Sequence, residues 1–188
     1  MLPPWISNRR SRRAIDPDRP VSIELVGELL EAARWSPSSV NEQPWRYLVF
    51  DDRDAEARER ARGWLEPGNV WAKRAPVLLL SVVNRLWVRD GQVNRHAWHD
   101  VGAANMAIAL VGCEAGLVVH AMAGFDRSKA RDEGRVPEGS SPVAMIALGW
   151  PGDPNLLPEH QRARETADRQ RKPVSELAYW GEWGKALP

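Results

Sequence analysis

Cysteine is nearly absent from this chain of 188 residues: Cys113 stands alone, so no disulfide can form within the chain and nothing calls for an oxidising compartment. Long hydrophobic runs are absent as well. The uncharged stretch at residues 101–113 stops at Glu114 and as a helix reaches only about 20 Å, against a hydrocarbon core of about 30 Å. It is rich in Ala and Gly and includes Asn105, so it reads as a buried central helix rather than a membrane span. An excess of one charge is missing too. Lys plus Arg is 26 and Asp plus Glu is 25, a balance that argues against a nucleic-acid coat protein or an acidic tail. The Arg-rich first fifteen residues contain Pro3 and Pro4 and lead into no apolar segment, so they do not read as a targeting peptide. Internal repeats, low-complexity segments, a Gly-x-Ser-x-Gly elbow, a phosphate-loop pattern and a Gly-x-Gly-x-x-Gly turn after a strand are all missing. These absences leave a soluble, cytoplasmic chain with no membrane or nucleic-acid partner.

What is present fits one globular domain over residues 1–188. Apolar residues make up 43% and charged residues 27%, ordinary usage for a chain that builds a core. The aromatic set is skewed: ten Trp against two Tyr and two Phe, which suits large half-polar surfaces at sites and interfaces. Val26, Leu29, Leu30 and Ala33 have one-faced helical spacing, predicting a helix over 21–35 with Ser22 as its cap and Ser36-Pro37 as its stop. A charge-laced helix is expected over 55–64 and a long helix over 96–115. Residues 75–83 form a continuous apolar run, the pattern of a strand covered on both faces. Shorter strands are expected at 47–50, 117–121 and 143–148. This alternation predicts an α/β or α+β layered domain. Beyond Pro151 the character changes: 152–172 is charged and poor in apolar residues, while 173–188 regains Leu177, Tyr179, Trp180 and Trp183. Such a stretch reads as an arm (151–188) that needs another surface, naturally a partner subunit.

Three segments offer chemistry. Arg9-Arg10-Ser11-Arg12-Arg13 places guanidinium groups around a hydroxyl, a set that suits a phosphate through forked, charge-assisted hydrogen bonds. Arg169-Gln170-Arg171-Lys172 is a second basic group at the other end of the chain. Each alone also reads as a solvated charged face; together they can converge on one phosphate. Residues 36–45 pack Ser38, Ser39, Asn41 and Gln43 between prolines, many donors and acceptors in a rigid frame, although turn chemistry alone accounts for the Pro, Ser and Asn. Residues 116–126 read as a strand emptying into a turn at Gly124, where backbone N–H groups can face a ligand. The histidines do not add a metal site: His96 and His99 lack further ligands with metal spacing, and His120 and His160 stand isolated. Cys113 reads as an inert thiol with no base beside it.

In this order the segments resemble the nitroreductase family of FMN-dependent flavoproteins. The resemblance rests on Arg9-Arg10-Ser11-x-Arg13 and Pro37-Ser38-Ser39-x-Asn41-x-Gln43-Pro44-Trp45. It continues through Asp100-x-Gly102-x-Ala104, Gly116-Leu117, residues 147–151 and Arg169-x-Arg171-Lys172-Pro173, and so covers about residues 8–183. It implies an α+β sandwich with a central, mostly antiparallel sheet flanked by helices, a homodimer with FMN at the subunit interface, and a C-terminal arm exchanged between subunits. By position, Arg9, Ser11, Arg169 and Arg171 would hold the FMN phosphate, with Arg10 alongside. Arg13 would sit at the flavin N1–C2=O edge. Pro37, Ser38, Ser39 and Asn41, with Gln43 in the same loop, would come from the other subunit. Ala123 and Gly124 would present N–H groups to N5 and O4 with Met122 beside them, and Asn69 would reach the pyrimidine edge. Where relatives carry a second basic residue, Trp71 stands.

The activity implied is NAD(P)H-driven reduction of FMN, followed by reduction of a nitroaromatic, quinone or similar small acceptor. No side chain is expected to act as essential acid or base. Alternatives are the same fold with reductive dehalogenation or flavin cleavage and, from another class, a phosphate- or nucleic-acid-binding module using the Arg9–Arg13 cluster. The near-zero net charge and the lack of a basic stripe through the middle of the chain count against the last.

Overall fold

The structure is a computed structural model and describes residues 2–188. Among the described residues two helices come first, and four strands and four further α-helices then alternate. The helices are α1 (Pro4–Ser7), α2 (Ile23–Arg34), α3 (Ala55–Arg62), α4 (Ala97–Glu114), α5 (Arg127–Glu133) and α6 (Glu159–Thr166), and the strands are β1 (Trp45–Phe50), β2 (Val77–Asn84), β3 (Val118–Met122) and β4 (Ser140–Gly149). The strands form one sheet in the order β1-β2-β4-β3, and every pairing is antiparallel. The architecture is therefore α+β.

Strand β2 explains the layering. Alternate side chains of a strand face opposite sides, and both faces here are apolar. Leu78, Leu80 and Val82 pack with Trp64, Trp71, Val118 and Met145 on one side. Val77, Leu79 and Val83 pack with Leu29, Val101 and Ile108 on the other, beneath α2 and α4. The continuous apolar run is thus a strand covered twice. Between sheet and α4, the Asn105 side-chain carbonyl accepts from Tyr47 (2.9 Å) and Ser81 (3.0 Å), so the polar atoms carried into that layer are paired. Burial holds the Tyr47 phenol protonated well above its ordinary range.

Local signals behave as their chemistry requires. The Ser22 hydroxyl accepts from the Leu25 N–H at 3.2 Å and starts α2, which ends two residues before Ser36. Helix α4 closes on Gly116, whose φ of +82° is the left-handed conformation glycine tolerates, while the Leu117 N–H bonds back to the Gly112 carbonyl at 2.7 Å. Helices α5 and α6 are additions to the sequence reading. Each carries little apolar surface; the only buried residue of α6 is Glu165. Strand β1 lies at an edge of the sheet, beside an open groove lined by Tyr47, Val49, Phe50, Arg60, Gly134 and Arg135. Residues 173–188 contain one short turn of helix (Val174–Glu176), and Tyr179 and Trp183 stack on each other at 4.9 Å. Trp180 and Trp183 remain exposed.

Candidate functional site

The N-terminal strand leaves α1 and runs beside the C-terminal segment. The Arg169 guanidinium donates to the carbonyls of Arg9 (2.7 Å) and Ser7, so the two basic groups, 160 residues apart, meet in space. Arg9 reaches the Ser11 hydroxyl at 3.4 Å. A cavity of about 190 Å³ opens there, lined by Arg9, Arg10, Arg12, Cys113, Leu117 and Val119 among others. The Arg10 guanidinium, in the wall of this cavity, donates to the carbonyls of Arg164 (2.8 Å) and Ala167 (2.6 Å), the orphan acceptors at the end of α6, as Arg169 does to those of Arg9 and Ser7. Arg171 is exposed and bonds only to the neighbouring Gln170 carbonyl.

From Arg13 a line of contacts runs to the turn after β3. The Arg13 guanidinium lies 5.9 Å from the Trp71 ring, and Trp71 packs at 4.7 Å on His120. Two residues before Trp71, the Asn69 amide donates to the Gly124 carbonyl at 2.8 Å, and the Glu66 N–H reaches the same oxygen at 3.3 Å. The Ala123 carbonyl accepts from Phe125 at 3.2 Å, so both carbonyls of the turn are bonded inside the chain. A Cβ on Gly124 would lie 2.7 Å from Asn69 Nδ2, hence glycine at this close approach. Met122 itself is buried at the strand end.

The Pro37–Gln43 loop belongs to a different place. The Ser39 N–H bonds to the buried carboxylate of Asp100 (3.0 Å) at the start of α4, and the Glu42 carboxylate accepts from Val88 (2.7 Å). The Ser38 hydroxyl accepts from Gln43 N–H, and the Gln43 amide reaches Asn41. Val40, Asn41 and Gln43 hold φ of +53°, +57° and +50°, conformations that cost energy without glycine and persist only where surroundings enforce them. None of the loop's hydrogen bonds among the described residues runs to the arginine strand. Contacts thus join Arg9 to Ser11 and Arg169, and Asn69 to Gly124, with Arg13 beside Trp71 and with Met122 and Ala123 preceding Gly124 in the chain, while Pro37, Ser38, Ser39, Asn41 and Gln43 form a separate loop.

The structure adds two residues that no local pattern marks. Glu165 accepts the N–H groups of Arg13 and Ala14, and His120 bonds the Arg12 carbonyl. Burial, above all, holds the His120 pKa below the ordinary 6.5. Among the described residues no group of His, Cys, Asp and Glu is placed to hold a metal ion.

The nitroreductase family model matches residues 6–150, which include the arginine strand, the polar loop, Asn69 and the Gly124 turn. The chain belongs to the nitroreductase family. It is 30% identical to the NADH dehydrogenase of Thermus thermophilus, over 81% of this chain and 87% of that protein. It is 34% identical to an uncharacterized 15.4 kDa protein of Mycolicibacterium smegmatis, over 66% of this chain and 83% of that one. The crystal structure of an oxidoreductase containing FMN superposes with a TM-score of 0.91 at 28% identity, covering 98% of this chain and 94% of the other. A nitroreductase-type α+β fold therefore accommodates the whole sequence, and no helix among the described residues is long and apolar enough to cross a membrane.

Proposed function

We propose that this protein is an FMN-dependent oxidoreductase that takes electrons from NAD(P)H and passes them to a nitroaromatic, quinone or similar small acceptor. One arrangement carries the reading: on one short stretch of chain Arg9 meets Arg169, and four residues on Arg13 lies by Trp71, whose segment carries Asn69 to the Gly124 turn, a cationic end followed by a donor-bearing edge. FMN has that polarity, with a dianionic phosphate at one end and a ring rich in acceptors at the other. The FMN of the similar oxidoreductase structure and the NADH of the Thermus relative agree with it.

When bound, FMN supplies the hydride chemistry, and the chain supplies the rest. Arg9, Ser11, Arg169 and Arg171 hold the phosphate. Arg10 contributes indirectly, by fixing the end of α6 from which Arg169 and Arg171 depart. Arg13 places a fixed cation at the N1–C2=O edge, where negative charge collects on reduction. Asn69 meets the pyrimidine edge, and the Ala123–Gly124 turn, beside Met122, directs N–H groups to N5 and O4. With no side chain needed as acid or base, nicotinamide and acceptor use one face in turn.

The Pro37–Gln43 loop completes the site of a partner subunit, so the working unit is a homodimer. Trp98 and Met106 on α4, with Trp5 on α1, are exposed apolar side chains that such an interface covers. Within the 151–188 arm, α6 and Arg169 stay on their own chain, where Glu165 holds Arg13 and Arg169 meets Arg9, and residues 173–188 cross to the partner, which gives Trp180 and Trp183 a surface. Deleting 173–188 then yields monomer and loosens flavin together; a truncated protein that stays dimeric and fully yellow by light scattering and absorbance removes the arm from the interface.

Purified protein is expected to be yellow, to release FMN on denaturation, and to bleach when NADH or NADPH is added without oxygen. Steady-state rates give parallel double-reciprocal lines. Protein-bound FMN that neither nicotinamide reduces would exclude the reading.

A further inference from the structure

Two buried titratable side chains grip a single peptide unit. The bond joining Arg12 to Arg13 offers a carbonyl on one side and an N–H on the other. His120, from β3, places Nδ1 2.8 Å from the Arg12 oxygen. Glu165, from α6, accepts the Arg13 N–H at 2.9 and 3.2 Å and takes the Ala14 N–H at 3.3 Å. The two side chains are only 8% and 7% exposed, a costly location for groups of this kind unless their polar atoms are engaged. The peptide is planar, so fixing both its polar ends fixes the direction in which the Arg13 side chain leaves the backbone. Trp71 then lies near the far end of that side chain, its ring 5.9 Å from the Arg13 guanidinium and 4.7 Å from the His120 imidazole. An arginine carries about 2 kcal/mol of rotamer entropy, and this one is constrained at root and tip.

We propose that His120 and Glu165 are positioning residues for Arg13, holding the Arg12–Arg13 peptide in the orientation that delivers the guanidinium to the N1–C2=O edge of FMN. The proposal rests on the FMN reading above. His120 suits the task in its neutral form: burial keeps the ring from charging, Arg13 and Arg9 act in the same direction, and the Arg12 carbonyl and Glu165 oppose them. The carbonyl requires the tautomer with its proton on Nδ1. Glu165 suits its side because a carboxylate accepts two N–H bonds and offers no donor of its own.

The test is the midpoint potential of the bound flavin, with FMN and riboflavin dissociation constants, in holoprotein carrying Arg13→Ala, His120→Ala, His120→Asn, Glu165→Ala or Glu165→Gln. Arg13→Ala lowers the potential. His120→Ala and Glu165→Ala lower it in the same direction; a tenfold loss of preference for reduced over oxidised FMN reads as a fall of about 30 mV for a two-electron couple. His120→Asn, whose amide keeps a donor near the Nδ1 position, restores most of it. In an Arg13→Ala background neither further change moves the potential, because the clamp then has nothing to position. If Glu165→Ala does not fold, Glu165→Gln keeps the shape and one acceptor and carries that arm. A potential that falls in Arg13→Ala but stays at the wild-type value in folded His120→Ala and Glu165→Gln overturns the clamp. A potential unmoved by Arg13→Ala overturns instead the placement of Arg13 at the flavin.

Discussion

The proposed site draws on two segments, and each is held by a buried carboxylate in a different way. Asp100, at the start of α4, accepts one N–H from Ser39 and holds a loop whose backbone is strained at Val40, Asn41 and Gln43. Glu165, deep in α6, accepts N–H groups from Arg13 and Ala14 and holds a strand that joins no ladder, its Ile15 bridging only to Pro151. The loop is over-determined locally: its own Ser38, Asn41 and Gln43 side chains tie it together, and Asp100 only anchors it. The strand has almost no local support, so its position depends on residues from β3 and α6. A strained segment carries its constraint with it, whereas an extended one must be held from outside.

Several experiments break or sharpen that contrast. The largest effect is expected on the strand side. Charge-assisted hydrogen bonds are worth about 1.5–3 kcal/mol, so Arg9→Ala or Arg171→Ala weakens FMN by roughly ten- to a hundredfold while leaving riboflavin nearly unchanged. Isothermal titration of apoprotein with both ligands measures this, and equal losses for both would move the phosphate elsewhere. Arg12→Ala, at the same strand but outside the phosphate set, is expected to change FMN affinity by less than about twofold, a difference near 0.4 kcal/mol.

Next comes the anchor of the loop. Asp100→Ala leaves the Ser39 N–H without its acceptor and costs about 1–3 kcal/mol in urea unfolding. Asp100→Asn keeps an acceptor and costs less. If the two variants are equally stable, the loop holds itself and needs no anchor.

The smallest effect is a dependence on acidity. An unfolded histidine takes up its proton near pH 6.5, whereas buried His120 does so only at lower pH, because burial disfavours the charged ring. Below about pH 6.5 the unfolded chain therefore binds more protons than the folded one, and stability falls as pH falls until the folded ring also charges. The slope from this residue is at most about 1.4 kcal/mol per pH unit. Denaturation at pH 7.5 and 5.5 checks it, and His120→Asn should flatten the difference.

Much of the fold could be read from sequence because its signals are local. The one-faced spacing at Val26, Leu29 and Ala33 and the Ser22 cap define α2, the unbroken apolar run defines β2, and Gly116 ends α4. The same holds for the candidate site where short motifs carry it, as at Arg9-Arg10-Ser11 and the Gly124 turn. What could not be read depends on long closures. Glu165 meets Arg13 across 152 positions and His120 meets Arg12 across 108, and no spacing rule links residues that far apart. Helix α6 was hidden for the same reason: its apolar content is slight, and what it buries is a charge. Arg10 shows the complementary limit, since composition cannot tell a guanidinium aimed at a ligand from one capping a helix end.

Strand β1 forms one edge of the sheet, beside an open groove. An open strand edge accepts any extended segment of suitable length, the intended one or a stray one. A freshly synthesised chain whose flank is still bare can pair there edge to edge with another copy, in competition with any assembly that covers it. Soluble yield should then respond to how quickly that flank is covered, through growth temperature and expression rate, as much as to the depth of the folded state's energy well.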